Sequence, residues 1–329
     1  MTAYETLSED DQVEALRPVA LEAAARFGLE VADLGLVTHA YNTTFALTTP
    51  SGERYAVRVN TNSASTPEQV LAQQEWQLAI AAETPVRVPV PRATTDGAWS
   101  AGVPSQDLGR KFLVTCASWL DGPDVEEPSP EVARELGRAM AHLHRHAATW
   151  VVPAGAVIPV FDDPLFGDPD RLATAPLEAE QREVLDRARA VATAAFARVH
   201  TAGPVVPIHA DLHGANLKWH DGRLALFDFD DCGLGTPALD LAIATFYLRG
   251  GDAGAEHALR EGYADVAPLP RVSPEDFEGL VASRQLLLAN DLLGTSTAAL
   301  RGQAQDYLLV SVERLGRWLE AGRFTRLLD

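Results

Sequence analysis

"HADLHGAN" (209–216), followed beyond a predicted hairpin by "FDFDD" (227–231), is the stretch on which the reading of the whole chain turns. It sets an aspartate and an asparagine five residues apart, with a second aspartate across a two-stranded ribbon. Phosphoryl transfer asks little covalent work of a protein: a carboxylate orients the acceptor hydroxyl, and oxygen ligands hold Mg2+ against the phosphates. Asp211 and Asn216 fit the H-x-D-x-x-x-x-N spacing of such a loop. Asp228 is expected on the far strand of the hairpin "LKWHDGRLALFDFD", whose turn is Asp221-Gly222. The plainer alternative is that Asp and Asn in a turn only cap local backbone. A metal cluster is a further alternative, because His209, Asp211 and His213 alternate as ligands on a strand would. Transition-metal sites usually recruit ligands from elsewhere as well. The remaining histidines cluster only in "HLHRH" (142–146), on a predicted helix, so Mg2+ is expected and zinc is not.

Outward from this stretch the chain divides in two. An amphipathic helix is expected over about 8–27, with Pro18 inside it. "LGLVTHAYNTTFALTTPSGERYAVRVN" then reads as strands, with "TPSGER" as a turn. Thr66 and Pro67 open a second helix, proline-rich "PVRVPVPRATTDGAWSA" returns to extended chain, and "KFLVTCASWL" (111–120) is one more buried strand. "DGPDVEEPSPE" (121–131) marks a break. Beyond it helices are expected over 130–147, about 177–199, 237–249, 274–294 and roughly 303–321, interrupted by the hairpin alone. The fold class is therefore α+β, with a lobe built on an antiparallel sheet before a mainly helical lobe. The expected boundaries are 1–115 for the first lobe, 116–122 for a hinge and 123–329 for the second.

Composition narrows the function. The chain has 329 residues, 47% of them hydrophobic and 22% charged, which suits a folded protein with a sizeable core. No window approaches the roughly 18 consecutive apolar residues a membrane helix needs, and the acidic, polar start "MTAYETLSEDDQ" is unlike a signal peptide, so a cytoplasmic protein without a membrane partner is expected. A net charge of −19 argues against nucleic acid as a partner and suits a cationic substrate or simple solubility. Cys116 and Cys232 are far apart in unlike contexts and are read as buried thiols. Lysine occurs only at Lys111 and Lys218, so the other cations among the 27 basic side chains are arginines.

The segment "HADLHGANLKW…LALFDFDDCGLGTPALDLA" (209–242) resembles the signature region of the aminoglycoside phosphotransferase/choline kinase superfamily, which includes homoserine kinase-type relatives. "YAVRVN", "QQEWQLA", "VPVPRA", "SWLDG" and "ELGRAMAHLHRHA" agree with it in order and spacing, over most of residues 35–245; the part from about 246 matches only loosely. The resemblance implies a two-lobed, protein-kinase-like enzyme using ATP, or GTP, with Mg2+ to phosphorylate a hydroxyl of an aminoglycoside-, amino alcohol-, homoserine- or sugar-like molecule. It implies Asp211 as the catalytic base, Asn216 and Asp228 as metal ligands, and His209 and Asp240 as structural support for the loop. Arg58 of "YAVRV" stands where protein kinases keep a phosphate-binding lysine, with Glu75 as its expected ion-pair partner. The nucleotide loop is expected in "VTHAYNTTFAL", which lacks glycine, with Thr38, Asn42, Thr43 and Thr44 as phosphate donors. The backbone from Cys116 to Trp119 is expected to meet the adenine edge. Asp230 and Asp231 are not expected to be ligands. Substrate is expected against 151–176 and 274–300, where "FDDPLFGDPDR" (161–171) is read as a solvated acidic loop more readily than as an amine receptor. A protein Ser/Thr kinase is a second reading, weakened by the short run from Asp228 to Thr236; a non-catalytic nucleotide-binding module is a third.

Overall fold

A computed structural model describes residues 4–328. Ser8 caps the first helix, α1 (Glu9–Arg26), by accepting the Asp11 N–H, and Pro18 is accommodated within it. The chain then forms β1 (Asp33–His39), β2 (Thr43–Thr48) and β3 (Arg54–Val59), and returns after α2 (Pro67–Glu83) as β4 (Ala101–Ser105) and β5 (Arg110–Ser118). These five strands make one sheet in the order β1-β2-β3-β5-β4, each neighbouring pair antiparallel. Alternation explains its core: Phe45, Leu47, Val57, Val59, Val114 and Cys116 all point to the face covered by Leu16, Val19, Ala20 and Ala23 of α1.

The helix α2 begins with a full capping box, Thr66 on the Gln69 N–H and the Gln69 side chain on the Thr66 N–H. Its buried face does not join the sheet's core. Trp76 and Ile80 belong instead to the larger hydrophobic cluster of the second lobe, where the Trp76 ring meets Phe229 edge-on with centroids 5.7 Å apart. The helix is thus the apolar link between the lobes, and it leans on the turn that follows Asp228.

The second lobe contains α3 (Pro130–Ala147), α4 (Ala179–Ala202), the short pair β6 (Val206–Ile208) and β9 (Gly233–Gly235), the hairpin β7 (Leu217–His220) and β8 (Arg223–Leu226), then α5 (Pro237–Leu248), α6 (Ala255–Ala264), α7 (Pro274–Gly294) and α8 (Ala298–Ala321). Two elements go beyond the sequence expectation. The β6–β9 ladder brackets the Asp211 loop, and α6 is a ten-residue helix whose stability comes from packing. A Cβ on Gly137 would run into the Leu259 carbonyl and one on Gly262 into the Arg134 carbonyl, so α3 and α6 cross with their backbones nearly touching. That crossing brings His144 and Tyr263 together at 3.0 Å. Among the described residues no helix is long and apolar enough to cross a membrane.

Candidate active site

The loop 209–216 leaves β6 and folds back on itself. Ala210 adopts a left-handed φ of 63°, a costly conformation for a residue with a Cβ. Asp240, near the start of α5 and fully buried, holds it there: its Oδ1 accepts the Ala210 N–H at 2.8 Å and its Oδ2 accepts His144 Nε2 at 2.9 Å. Burial raises the Asp240 carboxyl, but these bonds and the nearby His209 outweigh that and leave it below the ordinary range. His209 is also fully buried; its Nε2 faces the Phe227 carbonyl at 3.0 Å and its Nδ1 accepts the Asp211 N–H at 3.3 Å. Both ring nitrogens are therefore used inside the protein, which removes the alternating His209–Asp211–His213 ligand set.

Asn216 Nδ2 donates to the Asp211 carbonyl at 2.9 Å and to Asp211 Oδ2 at 2.8 Å. The amide nitrogen faces the loop, so oxygen is the Asn216 atom left for a cation. Asp228 is not on the far strand as expected but two residues past its end: β8 ends at Leu226, and Asp228 precedes a short 3-10 turn with a left-handed φ of 69°. Phe227 N–H donates to the Asn216 carbonyl at 3.1 Å, which brings the end of the hairpin back onto the loop. Asp211, Asn216 and Asp228 thus share one end of the β7–β8 ribbon.

The charges there are arranged unevenly. Burial alone raises Asp211, yet Arg284, His213 and His209 hold it at about 2. Arg284, on α7, is an ion-pair partner of Asp211 that the sequence analysis did not single out, because nothing along 274–294 distinguishes it from a surface arginine. It is only 5% exposed. His213 stacks on Tyr247 with centroids 4.4 Å apart and sits 3.5 Å from Asp211 Oδ2. Asp228 and Asp231, by contrast, are raised well above the usual carboxylate range, chiefly by burial; Asp230 and Asp211 add to it, and Arg58 pulls Asp228 back. A crowd of hard oxygen donors with too few cations is the donor set that suits Mg2+ or Ca2+.

On the nucleotide side several sequence expectations need correction. Arg58 crosses from β3 to pair with both Asp228 and Asp230, not with Glu75. Glu75 accepts the Trp99 Nε1–H at 2.8 Å instead, because α2 turns Gln73, Trp76 and Gln77 inward and leaves Glu75 on the flank. The helix still reaches the site through Gln73, whose Nε2 donates to the Asp230 carbonyl at 2.7 Å. Asn42 is an internal clip: its Oδ1 accepts the Thr61 N–H at 2.9 Å and its Nδ2 donates to Asp230 at 3.2 Å. Thr43 is fully buried, 2.7 Å from His39 Nδ1, so its hydroxyl faces α1 and not a phosphate. Cys116 lies within β5, and burial pushes its thiol up to about 12. Its carbonyl accepts the Arg92 N–H, Ser118 N–H goes to the Val90 carbonyl, and Trp119 N–H goes to the Arg54 carbonyl, so these three groups of the 116–119 backbone are engaged within the protein. The Trp119 ring lies under Arg54, 4.1 Å from guanidinium to centroid.

The loop read as solvated is pinned. Asn290 of α7 accepts the Arg171 N–H at 2.9 Å and donates to the Pro169 carbonyl at 3.2 Å. This sets Asp168 close enough to Asp291 for their charges to act on one another. Burial is the main cause that raises Asp291, to about 7, and its Oδ1 is buried without a hydrogen-bond partner among the described residues. Tyr41, in the turn between β1 and β2, feels the charges of Asp291, Asp231, Asp168 and Asp230, so the acidic wall faces the space between the lobes.

The family model of the phosphotransferase enzyme family (APH) matches residues 36–274, well over half of the chain. The chain belongs to that family. The matched span runs from β1 to the start of α7 and contains every group of the loop and the Asp228 turn, but not Arg284. This phosphotransferase is 23% identical, over 233 residues, to the amicoumacin kinase of Bacillus subtilis, covering 69% of this chain and 67% of that protein. Its fold is similar to that of a microcompartment-associated aminopropanol kinase, with a TM-score of 0.74 at 21% identity over 94% of this chain and 99% of the other. It is similar as well to amicoumacin kinase hAmiN, in a complex with AMP-PNP, Ca2+ and Ami, with a TM-score of 0.73 at 17% identity over 92% and 96% of the two chains. At these identities the solved structures establish the two-lobed fold.

Proposed function

We propose that this phosphotransferase moves the γ-phosphoryl group of ATP to a hydroxyl of a small molecule that carries an amine. The observation that carries the reading is the Asp211–Asn216 pair at one end of the β7–β8 ribbon, with Asp228 brought to the same end. Asp211 keeps its carboxylate ionised and accepts the hydrogen bond of the acceptor hydroxyl, which points the oxygen lone pair at the phosphorus. Asn216 and Asp228 are the residues that would hold Mg2+, which when bound neutralises charge on the phosphates. Arg58 holds Asp228 and Asp230 together from above and is the cation available to the phosphates. Asp240 and His209 support the loop.

The amine follows from the acidic wall. Asp291 feels the charges of both Asp168 and Asp211, its burial outweighs the pull of Arg284 and Arg171, and its Oδ1 has no hydrogen-bond donor among the described residues; a protonated amine supplies that donor and a further positive charge. The short passage from Asp228 to α5 leaves little chain for a regulated segment, and it favours a small acceptor over a protein. The test is incubation with MgATP, and in parallel MgGTP, and a pooled set of amino alcohols, hydroxy amino acids, sugars and amine-bearing antibiotics, following nucleoside diphosphate and a phosphate mass gain together. A phosphorylated amine-bearing product is expected; phosphorylation confined to amine-free acceptors would overturn the amine assignment.

A further inference from the structure

Arg284 is a costly residue to bury, and its geometry shows what it does there. The guanidinium is shared between two groups. Its Nη2 pairs with Asp211 Oδ1, while Nε and Nη2 donate to the Tyr247 hydroxyl at 3.1 and 3.0 Å. Nη1 makes a long contact of 3.5 Å to the carbonyl of Ala210, the strained residue before Asp211. The second carboxylate oxygen, Oδ2, receives Asn216 Nδ2 at 2.8 Å. Asp211 is therefore gripped at both oxygens, at one by its own loop and at the other by a helix 73 residues away. The Tyr247 ring, stacked on His213, fixes the hydroxyl that orients the guanidinium.

We infer that Arg284 is a positioning residue for phosphoryl transfer: it sets the rotation of the Asp211 carboxylate, with Tyr247 as the group that holds Arg284 in plane. The inference rests on the reading of Asp211 as the group that receives the acceptor hydroxyl. A planar fork suits the task because one guanidinium bonds a carboxylate and a phenol oxygen at once, which an ammonium cannot do in one fixed geometry. Without the guanidinium the carboxylate faces the like charges of Asp228, Asp230, Asp231 and Asp291 with only its own loop and His213 to hold it. Turning Asp211 would also loosen Asn216, whose amide nitrogen is anchored on it, and so would disturb the oxygen offered to a cation.

Two measurements test this on the full chain. In a crystal structure of Arg284→Met, the carboxylate is expected to rotate off Asn216; Asp211 unchanged against Asn216 Nδ2 would overturn the inference. In turnover, MgATP alone serves as the probe, with water as acceptor and ADP release as the readout. Arg284→Met is expected to lower kcat about 10²-fold at unchanged KM for MgATP, the size of loss that follows an ångström-scale misplacement. Arg284→Lys and Tyr247→Phe are expected between that value and the unsubstituted protein. An Arg284→Met kcat equal to or above that of the unsubstituted chain would show a guanidinium that merely packs there or blocks the acceptor. If Arg284→Met fails to fold, Tyr247→Phe carries both measurements, since it removes one hydroxyl and no charge. If the unsubstituted chain releases no ADP with water as acceptor, the crystal structure decides the Arg284 contact by itself, while the acceptor screen decides the kinase reading.

Discussion

The Asp211 loop and the Asp228–Asp231 turn lie side by side and handle buried charge in opposite ways. In the loop and its brace from α5 each carboxylate has its partners built in: Arg284 and Asn216 for Asp211, His144 and the Ala210 N–H for Asp240, and both sit below the ordinary carboxylate range. In the turn the acids outnumber the cations. Arg58 bridges Asp228 and Asp230, Asp231 has only the more distant pull of Arg284 against its burial and acidic neighbours, and Asp228 and Asp231 are pushed up. The first region is balanced within the polypeptide, and the second carries more acid than cation. Under the proposed function, the preorganised groups would aim the hydroxyl and the unbalanced acids would meet the cation.

The comparison can be broken most directly at Asp211. Asp211→Asn keeps the shape but removes the charge, and is expected to lower kcat about 10²–10⁴-fold with MgATP binding, measured by calorimetry, almost unchanged. Turnover that persists would place the chemistry elsewhere. Asp240→Ala is expected to cost stability, about 3 kcal/mol by urea unfolding, because it strands the Ala210 N–H and His144 in the core. A loss under 1 kcal/mol, on the order of an exposed cap, would mean that the loop holds its strained residue without that brace.

Asp291 sharpens the contrast through pH. Its folded-state value of about 7 lies above the ordinary 3.8, so a bound proton favours the folded state. That stabilisation is complete below 3.8 and is lost as the pH rises through about 7. Asp291→Asn is therefore expected to raise Tm above neutral pH and to lose the advantage as the pH falls toward 3.8, measured by thermal unfolding across the range. An equal gain at every pH would assign the effect to packing. The smallest change is expected from Glu75→Gln, which leaves the Arg58 pairs intact and retains an acceptor for Trp99; kcat within about twofold is expected for a flanking, half-buried site. A collapse in kcat would show that Arg58 turns to Glu75 once nucleotide is bound.

What could be read along the chain was what depends on near neighbours. Thr66-Pro67 announces a helix start, and the helices expected from 130, 237 and 274 also open there, each behind a serine or threonine cap with proline in its first turn. The loop from His209 to Asn216 was legible for the same reason, since Asp211 and Asn216 bond to one another within it. The helix α6 was not, because its stability lies in the glycine crossing with α3. The N-lobe assignments that the structure corrects required knowing which way a side chain faces: Thr43 toward the face covered by α1, Glu75 toward Trp99.

The sequence by itself determined the α+β order, the lobe built on an antiparallel sheet followed by the helical one, and the Asp211–Asn216–Asp228 grouping, because strand alternation, helix capping and a five-residue loop are short-range physics. Tertiary structure alone decided which charges meet. Arg58 to Asp228, Arg284 to Asp211, and Asp168 beside Asp291 are separated by 70 residues or more in the chain, and no local propensity records such a pairing. They are brought together by the burial of apolar faces, a non-directional force that packs the lobes and helices in the arrangement where these charges meet.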